Sequence, residues 1–225
     1  MPSFFAGLSA IDTTPDAVYK NTFRLERMRR FMSVVDDVLT SKGACSIIDV
    51  GGTVPYWTAT EAMWGSKNVS ILIINLVKSE GTHPKLTQII GDACSLQTFP
   101  DGAFDLAHSN SVIEHVGGWT DKKKMAREIC RVARRYFVQT PAMWFPIEPH
   151  YRAPFVHWLP RQIRARLIMR YHMGFYSKAA TLDDAMVAVE DAELLTFSEM
   201  QSLFPDARIE RERFLGMTKS LVAIG

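Results

Sequence analysis

Four short stretches hold the residues whose types and spacing could do chemistry. In SIIDVGGTVPYW (46–57) an apolar run of Ile47, Ile48 and Val50 carries Asp49 near its end and passes into Gly51-Gly52. Paired glycines let the backbone approach a ligand closely, and a helix opening after Val54 would aim its first amides at an anionic group. The same pair also suits a plain strand–helix turn. The further glycines of a pyrophosphate-binding turn are replaced by Thr53 and Pro55, so a dinucleotide fits badly and a ligand without phosphates fits better. In SILIINL (70–76) the place usually held by an acid that takes ribose hydroxyls is Asn75. Its carboxamide can accept one hydrogen bond and donate another without charge, or it can shape a turn.

The third stretch, IIGDACSLQTFPDGAFDLAHSNSVIEHV (89–116), is the densest. Asp92 follows an apolar run, where its carboxylate can accept an exocyclic amine while Ala93 offers a backbone amide. Pro100-Asp101-Gly102 makes a turn. A strand then ends in Ser109-Asn110-Ser111, followed by Glu114-His115. The fourth, FPIEPHYRAPFVHWLP (145–160), brings Glu148, His150 and His157 among aromatic residues. Histidine titrates near neutrality and is the commonest general base. His150 with Glu148 to orient it, and His115 second, are the expected bases, whereas His108 lies inside a strand and reads as structural. An ExxEH cluster would hold a divalent ion, but here the register begins at Ser111, so no metal is expected.

The elements that must position these residues alternate. Strands are expected at 46–50, 69–75, 86–90, 104–109, 135–140, 207–214 and 217–224. A helix over 14–40, opening at Thr14-Pro15, and another over 120–134 show apolar residues at helical spacing. Strands separated by helices imply crossovers and a mostly parallel sheet, with the last two strands forming an antiparallel hairpin around Gly216. Residues 141–176, rich in proline, aromatics, histidine and arginine, read as an insertion beyond a strand end, where open sheets bind ligands. Its five prolines should stiffen it, and Trp144, Phe145, Tyr151, Phe155 and Trp158 should wall a pocket.

The 225 residues suit one domain (1–225), and 26 basic against 24 acidic residues give no general attraction to nucleic acid. Cys45, Cys94 and Cys130 are too few and too scattered for a disulfide framework or a zinc site. The apolar start MPSFFAGLSAI lacks a basic n-region, and no run approaches a membrane span, so a cytoplasmic protein is expected. Basic runs at 24–30, 122–135 and 161–170 read as solvated helix faces. The third, beside FVHWLP, could also rest on an anionic membrane through 155–170 or grip an anionic substrate.

Taken together, DVGGT, GDACSLQTFPDGAFDLAHSNSVIEHV, MAREICRVARRYFVQTP and FPIEPHYRAPFVHWLP resemble the class I S-adenosylmethionine-dependent methyltransferases, in particular a type 11-like bacterial subgroup. The resemblance spans roughly residues 40–160. It implies an α/β fold, a Rossmann-like doubly wound sheet of seven strands, mostly parallel with an antiparallel C-terminal hairpin strand. It also implies S-adenosylmethionine as cofactor and S-adenosylhomocysteine as product. Asp49, Gly51 and Gly52 would then flank the methionine part, Asn75 and Leu76 the ribose, and Asp92 with Ala93 the adenine. Ser109, Asn110 and Ser111 would lie under the sulfur. Trp57, Trp144, Tyr151 and His157 would meet the acceptor, although Tyr56 and Trp57, two aromatics opening a helix, are as often core. O-methylation of a small molecule or of a glycan or natural-product intermediate is expected. An RNA methyltransferase and a noncatalytic cofactor-binding partner are the alternatives.

Overall fold

The computed structural model describes residues 21–225. The first helix, α1 (Thr22–Lys42), opens at Asn21, whose side chain accepts from the Arg24 amide, and closes at Gly43 in the left-handed conformation (φ 74°). The start expected at Thr14-Pro15 lies outside the described residues. β1 (Cys45–Val50), β2 (Val69–Asn75), β3 (Leu86–Ile90), β4 (Phe104–Asn110), β5 (Ala133–Pro141), β6 (Arg208–Phe214) and β7 (Met217–Ile224) make one sheet in the order β3-β2-β1-β4-β5-β7-β6. β1 pairs parallel with β2 and β4, β2 pairs parallel with β3, and β6–β7 is an antiparallel hairpin. β2, β3 and β7 have the bounds read from the sequence, β1, β4 and β6 differ by one residue at one end, and β5 is longer at both ends. The chain leaves β1 toward one edge and returns to β4 on its other side. The carboxyl ends of β1 and β4 therefore form the switch point where open sheets take ligands.

Contacts cluster into two compact units: residues to Asn110 with Arg127–Phe137, and Ser111–Ala126 with Val138–Gly225. In the first, Met28, Phe31 and Val35 of α1 are buried, as are Ile47, Ile48 and Val50 of β1. The Phe31 ring lies 4.5 Å from His108 and 6.1 Å from Trp57. Asp105 ties β4 to β1 by accepting from the Ser46 amide and hydroxyl, and pairs with Lys42. Burial pushes its carboxyl pKa up, but these donors outweigh that and hold it below the usual range.

The glycine turn depends on a buried carboxylate. Asp49 is 1% exposed, accepts the Trp57 indole N–H at 2.6 Å, and is bonded to His108 Nδ1 at 2.7 Å. A methyl on Gly52 would stand 1.6 Å from Asp49 Oδ2, so only glycine fits there. The helix after the turn is broken into α2 (Val54–Ala59) and α3 (Glu61–Trp64), too short to present the long amide end expected for an anion.

In the second unit α4 (Trp119–Val132) begins, and α5 (Arg161–Arg170) packs against α6 (Leu182–Glu190). Tyr151, Val156, Ala165, Ile168, Ala185 and Val189 form their shared core. Both α6 and α7 (Phe197–Leu203) open with capping boxes, Thr181/Asp184 and Thr196/Glu199. These signals were present in the sequence, although residues 177–206 were left unassigned there. Removing the indole donor should leave Asp49 half-satisfied in the core. Trp57→Phe is expected to lower the unfolding free energy by about 1–3 kcal/mol. Urea midpoints with an unchanged slope would measure it.

Candidate active site

Residues at the carboxyl ends of β1 to β4 divide into those spent on the fold and those left for a ligand. Asp49 is spent. Its two oxygens are bonded to Trp57 and His108 inside the core, whereas the sequence reading placed it beside the methionine part of a cofactor. Trp57 is likewise fully buried, which resolves the open choice in favour of core. Asn75 is turned back on the chain: Nδ2 donates to the carbonyls of Gly51 and Gly52, both at 3.1 Å, and Oδ1 accepts from the Leu76 amide. This explains the missing acid. A carboxylate has no hydrogen to give two carbonyls. Ser109 is also fully buried, its hydroxyl donating to Val50 O at 2.9 Å, because strand alternation points it between β4 and β1.

Left over are exposed apolar side chains near a carboxylate and a backbone amide. Leu76, Val77 and Ile90 stand exposed where β2 and β3 end, two of them half exposed and Ile90 66%. Beside them Asp92 is exposed and uses only Oδ1, on the Cys94 amide. The Ala93 amide has no acceptor among the described residues. Exposed apolar side chains flanking a free carboxylate oxygen and a free amide fit a flat heteroaromatic amine such as adenine. Gly51, at φ 81°, opens the turn beside them.

Arg27 was hidden in the basic run RLERMRR. It is 5% exposed and donates to Asn110 Oδ1 at 2.5 Å, so a buried cation stands at the end of β4. Its place in α1, one turn before the buried Phe31, was the signal that could have separated it from its solvated neighbours.

The second unit holds the titratable cluster. Ser111, left-handed at φ 56°, donates its hydroxyl to Gln139 Oε1. Glu114 is 1% exposed, with Oε2 accepting from Thr140 and Oε1 without a partner. His115 gives Nδ1–H to Asp191 O at 2.9 Å, which makes Nε2 the lone-pair nitrogen; that atom is buried and unpaired. The His115 and His150 rings meet edge to face at 4.7 Å. His150 donates Nδ1–H to Glu148, whose other oxygen accepts the backbone amides of His150 and Tyr151, both at 2.7 Å. Nε2 of His150 has no partner among the described residues. Burial pulls the His150 pKa down, but the Glu148 hydrogen bond and charge, with Glu114 and Asp191, outweigh it and raise the value above the ordinary one.

Of the expected acceptor contacts, Tyr151 is a core residue with its ring 5.1 Å from Tyr176. His157 gives Nε2–H to Met143 O, and burial holds its pKa low. It props the loop. The aromatic wall also divides: Phe145 and Tyr151 turn inward, but Trp144, Phe155 and Trp158 stay exposed. Among the described residues no group of three His, Cys, Asp or Glu side chains could hold a metal ion.

Residues 68–136 match the family described as a methyltransferase domain. No curated protein matches the chain. An O-methyltransferase family protein from Burkholderia thailandensis is similar over 97% of this chain and 62% of its own, at 14% identity and a TM-score of 0.50. A putative methyltransferase from an antibiotic biosynthesis pathway of Anabaena variabilis matches at 16% identity, TM-score 0.49, over 82% of this chain and 64% of its own. A SAM-dependent methyltransferase from Methanosarcina mazei matches at 16% identity, TM-score 0.47, over 80% and 91%. The chain thus spans somewhat under two thirds of the Anabaena and Burkholderia proteins. The fold is the Rossmann-like one seen in S-adenosylmethionine-dependent methyltransferases, and the segment 68–136 matches a methyltransferase domain.

Calorimetry with S-adenosylhomocysteine tests this division of labour. Asp92→Ala is expected to weaken binding by about 1–3 kcal/mol. Asn75→Asp, which restores the usual acid, is expected to weaken binding as well, because the turn loses both donors; tighter binding would show that Asn75 is a ligand and not a strut.

Proposed function

We propose that the chain transfers a methyl group from S-adenosylmethionine to a hydroxyl oxygen of a small molecule or of a glycan or natural-product intermediate, with His150 as general base. One observation carries this reading: His150 is held by Glu148 at Nδ1, and its Nε2 makes no bond to another described residue, so the ring can take a proton there once it is neutral. A hydroxyl, unlike an amine, holds its proton too tightly to be methylated without help, and a positioned base removes it as the new bond forms.

The residues left for the cofactor support it. Asp92 and the Ala93 amide would hold the adenine amine and ring, with Leu76, Val77 and Ile90 against its faces. S-adenosylmethionine, when bound, supplies a methyl group already activated by the sulfonium charge, so the protein's remaining tasks are alignment and proton removal.

A hydroxyl-bearing acceptor is supported by two buried atoms of the second unit, His115 Nε2 and Glu114 Oε1, that have no partner and could take hydrogen bonds from it. Glu148 fixes the His150 tautomer and stabilises the imidazolium once the proton arrives.

A noncatalytic cofactor-binding subunit is the second reading, and the internal use of Asp49 and Asn75 favours it. A mass-resolved screen of cell-extract fractions for the gain of one methylene separates the two. Methylated product supports the enzyme; S-adenosylhomocysteine binding with no product in any fraction supports the subunit.

Once the acceptor is identified, His150→Ala should lower turnover by about a hundredfold or more with cofactor affinity nearly unchanged. The pH profile has a defined sign. Activity requires unprotonated His150, so it should rise with pH through a value above the ordinary histidine range. Glu148→Gln removes the raising interaction and leaves burial, so the acid limb should move to lower pH while the maximum rate falls. An unmoved limb would assign the titration to another group.

A further inference from the structure

The three basic runs of the sequence meet three different fates. In the first, Arg27 is buried on Asn110. In the second, Lys122 is buried between Gly117 O and Glu193, and Arg131 is bonded to Glu128 and Asp101. The third remains on the surface. Along α5 the inward face carries Ala165 and Ile168, and the outward face carries Ile163, Arg166 and Arg170 at i, i+3 and i+7. Arg161 pairs with Glu190, whereas Arg166 has no acidic partner among the described residues, and Arg170 lies only over the Tyr171 ring.

The loop preceding this helix exposes three rings that touch one another. Trp158 lies 6.1 Å from Trp144 and 5.2 Å from Phe155. Trp144 is 67% exposed, Phe155 54% and Trp158 39%, with Ile147 and Ile163 also exposed. The arrangement is held firmly. The Trp158 indole N–H is satisfied by Met143 O at 2.8 Å. Phe155 sits at φ 65°, a conformation that costs a side-chain-bearing residue about 1 kcal/mol, and its amide is fastened to Pro146 O at 2.7 Å. The backbone is strained to turn an apolar ring toward water.

The stretch that carries the rings and α5 is basic, while the acids Asp183, Asp184 and Glu190 lie on α6. Between Met143 and Ala180 the basic side chains are Arg152, Arg161, Arg164, Arg166, Arg170 and Lys178. Glu148 is the one acid there, and it is buried on His150. The whole chain is only +2.

We propose that this face docks on the surface of an anionic lipid bilayer. Trp144, Phe155 and Trp158 would sit at the headgroup boundary, and Arg166 and Arg170 would reach lipid phosphates. Tryptophan and phenylalanine suit the interface, where an apolar ring meets a wet layer, and arginine stems lie along apolar surface with their charges outward. Single-stranded nucleic acid also attracts arginine and aromatics. There, however, rings serve as separate platforms for bases, whereas these pack on one another and are flanked by isoleucines that have nothing to stack. Among the described residues no helix is long and apolar enough to cross a membrane, so the contact is peripheral.

Co-sedimentation of the full chain with phosphatidylcholine vesicles, with and without phosphatidylglycerol, tests this at low salt. Binding is expected only with phosphatidylglycerol, accompanied by a blue shift of tryptophan emission. Arg166→Gln with Arg170→Gln should weaken it on the order of thirty-fold. Trp144→Ala, which removes a ring that fills no core, should weaken it too while the circular dichroism spectrum is unchanged. No binding to the anionic vesicles overturns the proposal, as does unchanged binding by both variants. Retention on single-stranded RNA without vesicle binding assigns the face to nucleic acid instead.

Discussion

A carboxylate sealed inside the first unit sets the shape of everything at the sheet's carboxyl end. Leaving Asp49 buried with an empty lone pair would cost several kcal/mol, and the chain satisfies it with an indole and an imidazole drawn from α2 and β4. Those two partners fix the positions of Trp57 and His108, which in turn pack on Phe31 of α1. The tight approach of Gly52 follows from the same carboxylate. Turn, strand and covering helix are therefore held around one ionisable group that never meets solvent.

The second unit treats an acid differently. Glu148 is also buried, but it spends itself on two backbone amides and one imidazole whose other nitrogen stays open. Asp49 closes a core, whereas Glu148 fixes the orientation of an imidazole. Local sequence separates them: Glu148 and His150 are two residues apart within a proline-bounded loop, while Asp49 and His108 come from neighbouring strands whose side chains interlock.

The strands were legible because each is a short apolar run bounded by turn residues, and β2, β3 and β7 fell where the pattern ended. The capping boxes of α6 and α7 were legible in principle, since threonine followed three residues later by an acid is a local signal. The pairing of Glu148 with His150 could be read for the same reason of proximity. Asn75, Ser109 and Asp49 were located correctly, but their hydrogen-bond partners were not legible. Spacing tells which strand end a side chain occupies, and only the three-dimensional arrangement tells whether it faces a ligand or a neighbouring carbonyl. Arg27 was missed because composition does not distinguish the one inward arginine of a run from the outward ones.

The bonds from Asn75 to the carbonyls of Gly51 and Gly52 have a consequence for how such a chain can change over generations. They join two places more than twenty residues apart into one unit of selection. An acid at 75 is disfavoured while these carbonyls face it, and a reshaped turn has little use for an amide there. A lineage moving between the two arrangements must pass through a sequence poorer than either end. Position 75 and the turn at 51–52 are thus tied to one another, and a change at either calls for a change at the other.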